Sequence, residues 1–268
     1  MNHRTVRLAL AVLFLFGLAT SAFAQGLYWE SKMTGKAIGE QTQQMWAVPK
    51  MMKGVTKETG EAYIIRLDKQ IFITIDPQEK TYSEMTFAEM ESVIKKASGK
   101  MDAQMAEMQK KLAEMPEEQR KMVEQMMGSK MSAKGSDAKV EVKNTTEKKT
   151  ISGFSCTKVD VTQDGKEMMT LWVTKDVKEF ESMRKDWQEF STRMMDMNPM
   201  GGKGLGEAFK KIDGFPIQTE VSDLMMSTVT KVEKKVAPAS EFEAPAGYKK
   251  VKPKMMEEME STDDTGDR

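Results

Sequence analysis

The 268-residue sequence predicts an α+β fold. Segments in which apolar and polar residues alternate stand on both sides of a long block with helical periodicity, which argues for one domain rather than two. An Asp-Gly pair between two strand-like runs adds a hairpin to the second group, because Asp-Gly readily takes the positive φ of a tight turn. No internal repeat is visible.

Residues 1–24 have the three parts of a secretory signal in order. Arg4 and Arg7 form a positive start, with no acidic residue before Glu30. Leu8 to Leu18 is an apolar run, shorter than the roughly 20 residues of a permanent membrane helix. Ala22-Phe23-Ala24 supplies a small-x-small cleavage site. Cleavage near Ala24 is expected, giving a mature chain from Gln25 that is periplasmic or secreted; an uncleaved anchor is the alternative. No Cys follows the site, which disfavours a lipid-anchored lipoprotein.

Gln25 to about Thr86 reads as strands. Tyr63, Ile65 and Leu67 alternate with Arg66 and Asp68, and Ile71, Ile73 and Ile75 repeat the pattern before the turn Asp76-Pro77-Gln78-Glu79. Lys80 to Ser83 resumes as a short strand. From Phe87 to about Met127 the period becomes helical: Met101, Met105, Met108, Leu112, Met115, Met122 and Met126 are spaced by threes and fours, and Gln119 fills the missing place. Pro116, followed by Glu117 and Glu118, marks a break or kink. This seam reads either as a stripe docked on the protein's own sheet or as a coiled coil with a partner.

Residues 129–137 are a polar linker. Strands return at Lys139 to Ile151 and Phe154 to Val161, and the Gln163-Asp164-Gly165-Lys166 turn leads into Met168 to Thr174. A helix over about Lys178 to Met197 precedes a loop, Asn198 to Gly206. Phe215 to Val221 and Ser227 to Val236 form a last pair of strands. The acidic end, residues 255–268, is expected to be a disordered tail.

Composition removes many functions. The one histidine, His3, lies in the leader, so the mature chain has no Ser-His-Asp triad, no Cys-His pair and no imidazole for zinc or haem. No phosphate-cradling Gly loop, nucleophile elbow or paired-carboxylate motif appears. A non-enzymatic protein without a cofactor is expected. Past the leader, 39 basic residues face 41 acidic ones, which leaves no basic footprint for nucleic acid. No further run is long enough to span a membrane. The single cysteine, Cys156, has no intrachain partner and reads as a buried strand residue.

The mature chain has 26 Met against six Leu. Three readings compete: Met as core filler in place of Leu, a deformable surface for apolar partners, and soft-metal ligation. For the last, Met194, Met195, Met197 and Met200 cluster with spacing suited to Cu(I).

Several segments together resemble an exported bacterial family catalogued as domain of unknown function 4412, related to the LolA-like half-barrel of lipoprotein carriers. They are Ile65 to Lys69, Ile73 to Pro77 and Lys80 to Met85; then Ile151 to Lys158 and Leu171 to Asp176; then Asp213 to Ile217. The resemblance implies a curved antiparallel sheet closing around helices, an apolar hollow between them, and no catalytic residues. The Met-rich helical stretch is longer than the family pattern.

On this basis a binding site is expected on the sheet's apolar face, formed by Tyr63, Ile65, Ile73, Met169, Leu171, Val173 and Ile217. Its cover is expected to be a lid of Met101, Met105, Met108, Leu112 and Met115. The expected partner is an apolar small molecule, a lipid or a lipoprotein acyl chain. A sensor or adaptor that binds another envelope protein with a filled core is a second reading, and Cu(I) binding a third.

Overall fold

The computed structural model describes residues 24–116, 139–197, 205–222 and 224–257. The leader up to Phe23, the end of the expected helical seam (residues 117–127, with Met122 and Met126), the 129–137 linker and most of the acidic tail lie outside them. At the start of that segment, residues 254–257 form a turn of helix.

Among the described residues, twelve strands form one unclosed sheet, and its order reveals two meanders. The first runs through β1 (Ala24–Gly35), β2 (Gly39–Val48), β3 (Met51–Thr56), β4 (Ala62–Arg66), β5 (Ile71–Asp76) and β6 (Thr81–Thr86). The second runs through β7 (Val140–Ile151), β8 (Phe154–Gln163), β9 (Lys166–Thr174), β10 (Phe215–Val221) and β11 (Met225–Ala237). They meet where β1 pairs antiparallel with β11. The two-residue β12 (Lys249–Lys250) adds a short parallel pairing to β6. The expected α+β fold with a mostly antiparallel sheet is what the chain adopts.

Local chemistry sets the junctions. Asp164 and Gly165 take φ of 50° and 76° and join β8 to β9, the positive-φ turn that matches strand twist. Helix α1 (Phe87–Glu114) starts in a capping box: Thr86 Oγ1 accepts from Glu89 N–H at 3.1 Å, and the Glu89 carboxylate accepts from Thr86 N–H at 2.7 Å. It ends at Met115 because Pro116 holds the preceding residue extended (φ −78°, ψ 148°).

The expected helix over 178–197 is two pieces, α2 (Lys178–Glu181) and α3 (Arg184–Met197). A further short helix, α4 (Leu205–Phe209), overlaps the expected loop. Five residues are too few to show a helical period. α4 docks on α3 instead, with Leu205 and Ala208 buried and Thr192 Oγ1 donating to the Gly206 carbonyl at 3.2 Å.

Three apolar clusters hold these elements. One lies between the sheet and α2–α3, built on Leu27, Met45, Met52, Ile65, Phe180 and Phe215. A second covers the other face of β4 and β5, where Ile64, Ile73 and Ile75 pack on Phe242 of the C-terminal 3₁₀ turn (Ala239–Phe242). A third joins Val159, Val161, Leu171 and Val173 to Leu205 and Ile212. Cys156 is fully buried, and burial pushes its thiol pKa up.

An apolar cavity under the sheet

The candidate site is a cavity of about 390 Å³ between one face of the sheet and α2–α3. Ile65 on β4 and Ile217 on β10 both line it, although four strands separate β4 from β10 in the sheet order. The sheet must therefore bend around the helices, as a half-barrel does.

The wall is built in rungs, because directly paired antiparallel residues share a face. One rung is Leu27, Ala47, Met52 and Ile65. The next is Trp29, Met45, Gly54 and Tyr63. Gly54 has a specific purpose here: a Cβ on it would sit 2.5 Å from the Tyr63 ring. The missing side chain lets the ring lie across the strand and stack near Phe72, at 6.0 Å and 19°. Tyr63 donates its hydroxyl to Met45 Sδ at 3.4 Å, and burial pushes the phenol pKa up.

The roof is aromatic. Phe180, Met183, Trp187 and Phe190 line the cavity from α2–α3 and the turn between them. Phe215 meets Trp29 edge-on at 5.5 Å and Phe180 at 5.2 Å. Asp186 pins the roof to the β2–β3 turn, its carboxylate accepting from Lys50 N–H at 3.1 Å. Arg193 ties α3 to Glu91 (3.1 Å) and Gln70 (2.5 Å), and its guanidinium lies 5.0 Å from the Phe87 ring.

The structure brings together only part of the expected face. Tyr63, Ile65 and Ile217 line the cavity. Ile73 does not, because it pairs with Ile64 on the opposite face, while Phe72 is the residue paired with Ile65. Met169, Leu171 and Val173 belong to the third cluster, under α4. One continuous apolar surface was the wrong inference, since alternation on separate strands does not fix which sets meet.

The lid also differs. Among the described residues of α1, none lines the cavity; Leu112 is buried, Met108 and Met115 are exposed, and the side chains of Met101 and Met105 lie outside the described residues. α1 leaves the sheet after β6, away from the central strands, so the roof falls to α2–α3. Their stripe was legible: Met183, Trp187 and Phe190 stand four and three apart. Trp29 and Phe215 were also missed, although both stand in segments read as strands.

Of the Cu(I) candidates, Met195 packs partly on the third cluster and Met194 is half-buried. The Met197 side chain and Met200 lie outside the described residues. Among the described residues, no three His, Cys, Asp or Glu side chains group to hold a metal, and no helix is long and apolar enough to cross a membrane.

Fold and cavity together define a half-barrel with a hollow between sheet and helices. A family model, Domain of unknown function (DUF4412), matches residues 86–248, and the chain belongs to that family. The match begins at Thr86, so most of the first meander lies before it. No curated protein matches the sequence.

Three solved structures show a distant likeness. An uncharacterized conserved protein from Thermus thermophilus superposes with a TM-score of 0.43 at 8% identity, covering 84% of this chain and 90% of that one. PNGF-II gives 0.39 at 10% identity, with 88% and 32% covered. The MucA/MucB complex of Pseudomonas aeruginosa gives 0.38 at 10% identity, with 85% and 58% covered. The chain thus spans about a third and under two thirds of the latter two. Superpositions this loose transfer no property to this chain.

Proposed function

We propose that this protein is a non-enzymatic binding protein of the cell envelope that holds an apolar ligand, the acyl chain of a lipid or lipoprotein, in the cavity under its sheet. The observation that carries this reading is the cavity itself. Its 390 Å³ falls within the roughly 300–1,000 Å³ of small-molecule sites, and its walls are mainly aliphatic, thioether and aromatic. An adaptor with a filled core would instead pack this space to native density. Each CH₂ that leaves water for the cavity contributes about 0.8 kcal/mol.

The test is native. Protein purified from its own envelope should begin at Gln25 and release lipid on solvent extraction. Delipidated protein should take up a fluorescent fatty acid. Absence of both lipid and uptake would end the carrier reading, and recovery of intact Met1 protein in the membrane would end the export reading.

A further inference from the structure

The cavity is not uniform along the strands. Beyond the two apolar rungs, the next is Val229, Ser31, Gln43 and Thr56, and the one after it contains Thr219, Ser227 and Met33. The polarity therefore rises from the Leu27 end toward the Ser31 end. Gln43 Nε2 donates to Thr56 Oγ1 at 2.7 Å, but the buried Gln43 Oε1 finds no donor among the described residues. A buried acceptor without a donor is destabilising, and native structures rarely leave one without a reason.

The charged residues lining the cavity, among those described, are Lys50 and Asp186. Lys50 stands in the β2–β3 turn, past the Leu27 rung and at the opposite end. The Gln43 rung therefore offers an acceptor oxygen and no cation.

Resting on the carrier reading above, we propose that the ligand binds in one orientation. Its chain lies along the Leu27 and Trp29 rungs. Its polar end reaches Ser31 and Gln43 and is an uncharged hydrogen-bond donor, such as a glycerol hydroxyl or an amide N–H. A donor there satisfies Gln43 Oε1. A carboxylate there would set its oxygens against Gln43 Oε1 and have neutral hydroxyls such as Ser31 and Ser227, but no lining cation at that end, to offset its charge.

Three ligands with the same chain separate the possibilities: monolauroylglycerol, methyl laurate and laurate. Each is titrated against bound N-phenyl-1-naphthylamine at about pH 8, where the acid is ionised. Monolauroylglycerol should bind about tenfold more tightly than either of the others, the scale of one well-made hydrogen bond. Gln43→Leu should bring monolauroylglycerol and methyl laurate to within about twofold of each other, each affinity being referred to the dye's own Kd on that variant. Gln43→Met, of similar length, is the second variant should the first fail to fold.

Laurate binding as tightly as monolauroylglycerol would overturn the orientation, and its loss in Lys50→Ala would place the head at the other end. If none of the three displaces the dye, the carrier reading falls with it.

Discussion

Ile64 and Ile65 are neighbours on β4, both almost wholly buried, and they face different surroundings. Ile64 packs with Ile73 and Ile75 against Phe242, which the C-terminal segment carries across that face of the sheet. Ile65 looks the other way, onto the cavity wall. One face is plugged by a side chain from the protein's own chain, and the other is roofed by short helices that leave a hollow. Apolar character on both faces explains how strands this short stay buried, and it shows that hydrophobicity alone does not make a site. What distinguishes the faces is whether the cover fills the space.

That contrast can be broken by substitution. The largest effect is expected where no hollow exists. Leu171→Arg puts a charge into the third cluster, and the protein should fail to fold, read as loss of a cooperative unfolding transition. A folded Leu171→Arg protein would mean that this cluster has room to spare.

Phe242→Ala should cost about 3–5 kcal/mol in denaturant unfolding, the usual penalty for emptying a large aromatic site in a close-packed region. A loss under about 1 kcal/mol would show that the C-terminal cover is dispensable.

A matched pair of alanines sharpens the comparison. Ala237 lies in the plugged cluster and Ala47 on the cavity wall. Ala237→Leu should overpack its site and cost about 1–3 kcal/mol. Ala47→Leu grows into empty space and should change stability by less than about 1 kcal/mol while reducing fatty-acid uptake. Equal costs would remove the distinction between the faces.

A small effect is also expected at the clamp on the plugged face. Arg66 is buried, pairing with Asp68 at 2.7 Å and Glu243 at 2.5 Å and donating to the Phe242 carbonyl at 3.2 Å. Its hydrogen bond to Asp68, followed by that to Glu243, raises the guanidinium pKa above its already high value despite burial. The Arg66 hydrogen bond holds Asp68 below the usual carboxylate range. At Glu243 burial pushes upward, but the hydrogen bonds and charges of Lys69 and Arg66 win and lower it.

Both carboxylates have depressed folded pKa values, so their contribution is complete above the unfolded range near pH 4 and fades as pH falls through the folded values. Both are more than a third exposed, so screening limits the gain to about 1 kcal/mol. Unfolding of the native protein and Arg66→Met should differ by that order at pH 7, with the gap narrowing on acidification. A gap that widens would reverse the sign.

Much of this was legible in the sequence, and the misses share a cause. Helix α1 starts at Phe87 and stops before Pro116 because capping and proline chemistry are local. The Asp164-Gly165 hairpin is local too. Facing is not. Ile71, Phe72 and Ile73 form an unbroken apolar run on a strand covered on both sides, so period two cannot say which of them faces the cavity. Only pairing decides that, and it sets Phe72 beside Ile65. The roof stripe at Met183, Trp187 and Phe190 was readable, but the Met-rich α1 offered a longer seam. Length was a poor guide, because a helix covers what its attachment to the sheet lets it reach.

The ladder between β1 and β11 bears on the order in which this chain can acquire its structure. Each meander is made of sequence neighbours, whereas the joint pairs Ala24 with Ala237. Local hairpins form in microseconds, but pairings between distant segments are slow. The two meanders can therefore assemble independently, and the joint must wait for nearly the last strand. If the chain crosses a membrane N-terminus first, β1 arrives long before its partner. Its open edge must then be kept from other strands until β11 emerges.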